Sequence, residues 1–122
     1  MGTTARGKLS WILNPPFQKA KLENAKRSGL SYHLHPSSAA VWINVDVSPI
    51  DDDSGIFLIS RKSADFAILM DDYVDKNLSV ASKVLYIGVF GWNNSPSFLM
   101  RSNDLAWLGN LSIDLSVEFF QN

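Results

Sequence analysis

Val41-Trp42-Ile43-Asn44-Val45-Asp46-Val47-Ser48 decides the fold class of this chain. Apolar and polar residues alternate across it without a break, with Val41, Ile43, Val45 and Val47 on one face and Trp42, Asn44, Asp46 and Ser48 on the other. A period of two belongs to a β-strand with one face toward a core, and valine and isoleucine suit its pleated surface. The same alternation recurs upstream at Leu30, Tyr32 and Leu34. It appears more briefly at Leu9, Trp11 and Leu13, where Asn14-Pro15-Pro16 stops the strand by removing backbone donors. Downstream, Ile113, Leu115, Val117 and Phe119 point inward while Asp114, Ser116 and Glu118 point outward. Residues 49–55 form a polar connection and residues 56–59 return as the second arm of a hairpin. Residues 84–89 are apolar enough for a central strand and end in the turn residues of Gly91-Trp92-Asn93-Asn94-Ser95-Pro96.

Three segments change period. Phe66, Leu69, Met70, Tyr73 and Val74 fall at the spacing of one buried helical stripe, capped by Ser60 or Ser63, which leaves Asp71, Asp72 and Asp75 facing water. Residues 104–108 read as a short helix stopped by Gly109 at a left-handed position. Residues 17–27 carry helix formers with a thin apolar stripe. Together these predict an α+β fold, an antiparallel sheet of five or six strands with two or three helices packed mainly on one face, in a single domain spanning residues 1–122. Phe57-Leu58-Ile59 and Phe98-Leu99-Met100 each precede a helix that carries an Asp-x-Ala-like start, a faint strand-helix echo within the chain.

Composition narrows the function classes. The chain is 46% apolar, 19% charged and free of cysteine, which excludes disulfides, thiolate metal sites and cysteine nucleophiles. The opening residues, Met1 to Lys8, lack the apolar stretch of a secretory signal and no apolar run elsewhere reaches the length of a membrane span, so a cytoplasmic location is expected and a membrane partner is not. The formal charge of -1 hides an uneven spread, because residues up to 30 hold six bases against one acid, Glu23.

The acids of the remainder cluster at Asp51, Asp52 and Asp53 and at Asp71, Asp72 and Asp75. Such an acidic surface suits a small protein-binding module, in the manner of bacterial immunity proteins and inhibitors. Trp42 and Trp92, on a polar strand face and in a turn-rich loop, are the aromatic anchors such a surface would use. A metalloenzyme is the first alternative: His33 and His35 share one strand face, and Asp46 completes a two-histidine, one-carboxylate set if the strands pair in register. Nucleic-acid binding by Lys19, Lys21, Lys26 and Arg27 is the second, placed behind a protein partner by the acidic remainder. No nucleophile elbow, phosphate loop or metalloprotease helix is present, so catalysis has no motif behind it and no cofactor is expected.

From Lys83 onward the order is an apolar strand ending in Val89-Phe90-Gly91-Trp92, a polar turn, Phe98-Leu99-Met100, Leu105-Ala106-Trp107-Leu108-Gly109, and Leu111-Ser112-Ile113-Asp114-Leu115. This stretch, about a third of the chain, resembles the C-terminal portion of the bacterial family of domain of unknown function 4279. Leu105, Ala106, Leu108, Gly109 and Asp114 stand at the matching positions. The resemblance implies a strand, a short helix and a closing strand, and it implies no activity.

Overall fold

The computed structural model describes residues 4–27, 29–35, 39–50, 56–91 and 98–120. Among them the chain forms eight strands and three helices: β1 (Thr4–Leu13), α1 (Lys19–Arg27), β2 (His33–Leu34), β3 (Ala40–Val45), β4 (Val47–Pro49), β5 (Ile56–Ile59), α2 (Arg61–Asn77), β6 (Val80–Phe90), β7 (Leu99–Met100), α3 (Ser102–Asn110) and β8 (Asp114–Phe120). The α+β class is as expected. The strands, however, form a large sheet in the order β2-β3-β1-β6-β8 and a small one in the order β4-β5-β7. Pairing is antiparallel from β2 to β6, but β6/β8 and β5/β7 are parallel, so the large sheet is mixed. Among the described residues no helix is long and apolar enough to cross a membrane.

The parallel pairs come from two strand-helix-strand units laid side by side. In β5-α2-β6 and β7-α3-β8 the first strands pair with each other and so do the last, with Phe57 opposite Met100 and Leu85 opposite Leu115. The echoed segments 57–59 and 98–100 lie on paired strands, two positions out of the register in which they pair, and Phe57 and Phe98 stack at 5.1 Å between ring centroids.

β1 is the middle strand, and its partners extend it beyond its apolar residues. Register with β6 runs from Thr4 opposite Phe90 to Leu13 opposite Val80, which holds Arg6, Gly7 and Lys8 in the ladder despite their modest strand preference. The alternation at residues 41–48 survives, with Val41, Ile43, Val45 and Val47 all buried. Its ladder does not: β3 ends at Val45, Asp46 steps between the sheets, and Val47 begins β4. That step brings the chain down onto Gly7. A Cβ there would lie 2.7 Å from the Val45 carbonyl oxygen and 2.8 Å from Val47 Cγ2, so only glycine leaves room for the crossing.

One face of the large sheet carries Leu9, Trp11, Ile43, Leu85 and Ile87 into a single hydrophobic cluster, which also takes Leu22 of α1, Met70 and Val74 of α2 and Leu108 of α3. Ser60 begins α2 by accepting the Ser63 N–H at 3.2 Å, one of the two caps expected. The buried stripe of α2 is Ala67, Met70, Asp71 and Val74, rotated from the expected one, and Leu69 is 61% exposed. Asp71 is consequently 1% exposed and does not face water. Its Oδ1 accepts the Trp11 indole N–H at 2.9 Å and pairs with Lys83 Nζ at 3.0 Å. Lys83 reaches Asp75 Oδ2 at 2.7 Å and the Leu111 carbonyl at 3.0 Å, so its three donors find three acceptors. Burial alone would lower the Lys83 pKa. Hydrogen bonds to Asp75 and Asp71, with their charges, outweigh it and hold the ammonium above its ordinary value.

The end of α3 also differs from expectation. Gly109 lies inside the helix, and the left-handed residue is Ser112, at φ 58°. Ile113 N–H donates to the Leu108 carbonyl at 2.9 Å and Ser112 N–H to the Gly109 carbonyl at 3.1 Å, the paired bonds of a Schellman end, with buried Leu108 and Ile113 supplying its apolar contact. At α1 the same job falls to a glycine, Gly29, at φ 88°. Ser112→Gly is therefore expected to raise stability by about 0.5–1 kcal/mol through relief of the left-handed backbone, read as a higher urea midpoint at unchanged slope.

Candidate ligand-binding face

The second face of the large sheet turns away from the helical side, and strand register decides which side chains meet there. His33 stands opposite Trp42, Trp42 opposite Ser10, Ser10 opposite Val84, and Val84 opposite Asp114. The next row is Asn44, Lys8, Tyr86 and Ser116. Arg6, Gly88 and Glu118 form the third, and Thr4, Phe90 and Phe120 the fourth. Trp42, Tyr86, Gly88, Phe90 and Phe120 line one groove of about 590 Å³ on this face.

Gly88 is its floor. A Cβ there would lie 3.1 Å from Phe90 Cε2 and 3.3 Å from Phe120 Cε2, so those two rings, stacked at 4.8 Å, lean over the glycine. Tyr86, 46% exposed, and Phe120, 41% exposed, leave aromatic surface open on either side. Two cations are held here by rings. Lys8 Nζ sits 4.4 Å from the Trp42 ring centroid and the Arg6 guanidinium carbon 5.8 Å from that of Phe90. Among the described residues neither makes an ion pair. A cation over a ring is oriented without being neutralised.

Of the residues singled out by sequence, Trp42 lies on this face, half-buried and stacked on His33 at 4.1 Å. α1 does not cover it. Leu22 and Ala25 of α1 are buried, Leu22 in the core cluster, and the Tyr73 hydroxyl of α2 donates to the Lys21 carbonyl. Beside α1, burial raises the Tyr32 pKa above its ordinary value, with Glu23 and Tyr73 acting in the same direction.

The aspartates form no open acidic patch among the described residues, since Asp71 and Asp75 meet on Lys83. Asp71 is a core residue, Asp75 is bound to Lys83, and Asp72 pairs with Lys76 at 3.0 Å. Asp51, Asp52, Asp53 and Trp92 lie outside the described residues. The metal set is not assembled either. Asp46 stands four positions beyond Trp42 along the chain, about 13 Å at ~3.3 Å per residue from the strand position facing His33. Its backbone is tied instead to the start of α2, through bonds of 2.9 Å to Ser63 Oγ and from Ser60 N–H. Among the described residues no group of three or more metal-ligating side chains occurs. Lys19, Lys21, Lys26 and Arg27 are exposed on α1, away from the groove, with Lys26 Nζ 4.9 Å from the Tyr32 ring centroid.

Sequence reasoning missed Arg6, Lys8, Tyr86, Gly88, Phe90, Glu118 and Phe120 as one surface. The available signal was a second alternation, Val84, Tyr86, Gly88 and Phe90, hidden inside a run that reads as uniformly apolar. No family model, curated protein or solved structure matches this chain.

Proposed function

We propose that this protein is a non-enzymatic binding module that takes an anionic partner on the open face of its large sheet. The observation that carries this reading is the pair Arg6 and Lys8, cations without a carboxylate partner among the described residues, each poised over a ring at the edge of one groove. Charge so placed steers and orients an anion. An acidic docking surface, as in an immunity protein, has less support, because burial removes Asp71 and ion pairs engage Asp72 and Asp75.

The test is fluorescence anisotropy of the full chain with a labelled heparin oligosaccharide. The double variant Arg6→Ala/Lys8→Ala is expected to bind roughly tenfold or more weakly and with a shallower salt dependence. The control Lys19→Ala/Lys21→Ala on α1 is expected to bind like the parent. Equal binding by the double variant, or loss confined to the α1 variant, would contradict the proposal.

A further inference from the structure

We infer that the groove over Gly88 is a nucleotide slot, which takes a base and its phosphate from a free nucleotide or from a single strand. This rests on the reading of the open face as an anion-binding surface and adds what the anion carries. Three observations point to a ring attached to a phosphate. First, the groove is bordered by aromatic surface, with Tyr86 exposed on one side and the Phe90–Phe120 pair, whose ring edges close over Gly88, on the other. Its volume of about 590 Å³ falls within the range of small-ligand sites. A flat aromatic ligand gains from such walls and a peptide carboxylate does not, because base–aromatic stacking is tolerant of sequence and needs only an exposed ring.

Second, the slot has opposite poles. Arg6 and Glu118 both stand in register with Gly88, on the strands to either side of it, about 10 Å apart across two strand spacings of ~4.8 Å. A nucleotide is polar in the same sense, with phosphate oxygens at one end and N–H donors on the base edge at the other. Third, Lys8 borders Tyr86 in the neighbouring row, so both cations lie at the phosphate end. Glu118 accepts a hydrogen bond from an exocyclic amino group, the contact by which carboxylates read cytosine. The slot therefore favours amino-bearing bases, cytosine ahead of thymine.

The experiment measures anisotropy of the full chain with labelled oligo(dC) and oligo(dT), using deoxycytidine monophosphate and inorganic polyphosphate as competitors. Oligo(dC) is expected to bind more tightly than oligo(dT), and Glu118→Leu, which removes the acceptor, to abolish that preference. Gly88→Val displaces the Phe90 and Phe120 rings that close over the glycine, and Tyr86→Ala removes an exposed wall. Each is expected to weaken oligo(dC) roughly tenfold or more while polyphosphate binding stays unchanged. If Gly88→Val fails to fold, Tyr86→Ala reads the same wall. Competition by deoxycytidine monophosphate identifies a free nucleotide as sufficient, and competition by the longer strand alone identifies a single strand. Unchanged oligo(dC) binding by Gly88→Val and Tyr86→Ala, or polyphosphate competing as well as oligo(dC) with no base preference, would overturn the slot and leave the anion surface standing. Anion binding indifferent to Arg6 and Lys8 would remove both.

Discussion

Asp71→Ala is expected to destabilise the protein by about 3–5 kcal/mol, the cost of breaking a buried ion pair from one side. Two groups lose their partner at once. The Trp11 indole N–H, donated to Asp71 at 2.9 Å, is left in the core without an acceptor, and Lys83, whose side chain is 11% exposed, loses its most buried carboxylate. Asp75 remains at 2.7 Å but is itself 47% exposed and screened, so it offsets only part of the loss. Removing the stranded charge should recover stability: the double variant Asp71→Ala/Lys83→Met is expected to be more stable than Asp71→Ala alone. Urea unfolding of the three proteins decides this, and a single variant within about 1 kcal/mol of the parent would show that the network is dispensable.

The same network has a signature in pH. The Lys83 pKa is raised in the folded state above its ordinary 10.5, so its contribution is fully present below the unfolded pKa and is lost as pH rises through the folded one. The parent should therefore lose stability on the alkaline side, above about 10.5. In Asp71→Ala that alkaline loss should shrink, because less of the interaction remains to be titrated away.

Gly7→Val is the second large effect. A Cβ at Gly7 meets the Val45 carbonyl oxygen at 2.7 Å and Val47 Cγ2 at 2.8 Å. The first of these belongs to backbone and cannot move aside without shifting the step from β3 to β4. Overpacking of this kind costs roughly 1–3 kcal/mol when side chains can yield and more when they cannot, so the expected loss is about 3 kcal/mol, with Gly7→Ala somewhat less. Trimming the movable neighbour, as in Gly7→Ala/Val47→Ala, should not restore the parent's stability. A gain on Gly7→Ala, of the ~0.5–1 kcal/mol normal for replacing glycine in an ordinary strand, would mean that the crossing is not tight.

These two positions also mark where sequence patterns stopped being readable. Alternation at residues 41–48 reported burial correctly but could not reveal that one strand serves two sheets, since the inward face stays continuous through Asp46. Helical spacing located α2, yet an aspartate within the apolar stripe pushed its expected phase toward Leu69. The partners that make Asp71 tolerable inside come from positions 60 residues before it and 12 after it. β1 reads as beginning near Leu9 because Arg6, Gly7 and Lys8 favour no strand on their own; β6 holds them in place through residues more than 75 positions away. The open face was legible only at Trp42 and His33, whose two strands each alternate cleanly. Tyr86 and Gly88 sit in β6 among residues apolar on both sides, and a run of that kind conceals which face is open.

Contact between ligand and the open sheet face can be read from amide chemical shifts of the full chain during titration with unlabelled oligo(dC). Shifts are expected to concentrate at Arg6, Lys8, Asn44, Tyr86, Gly88 and Glu118, with α1 and α2 unmoved. Shifts confined to the basic residues of α1, or to the exposed turns of α2, would contradict it.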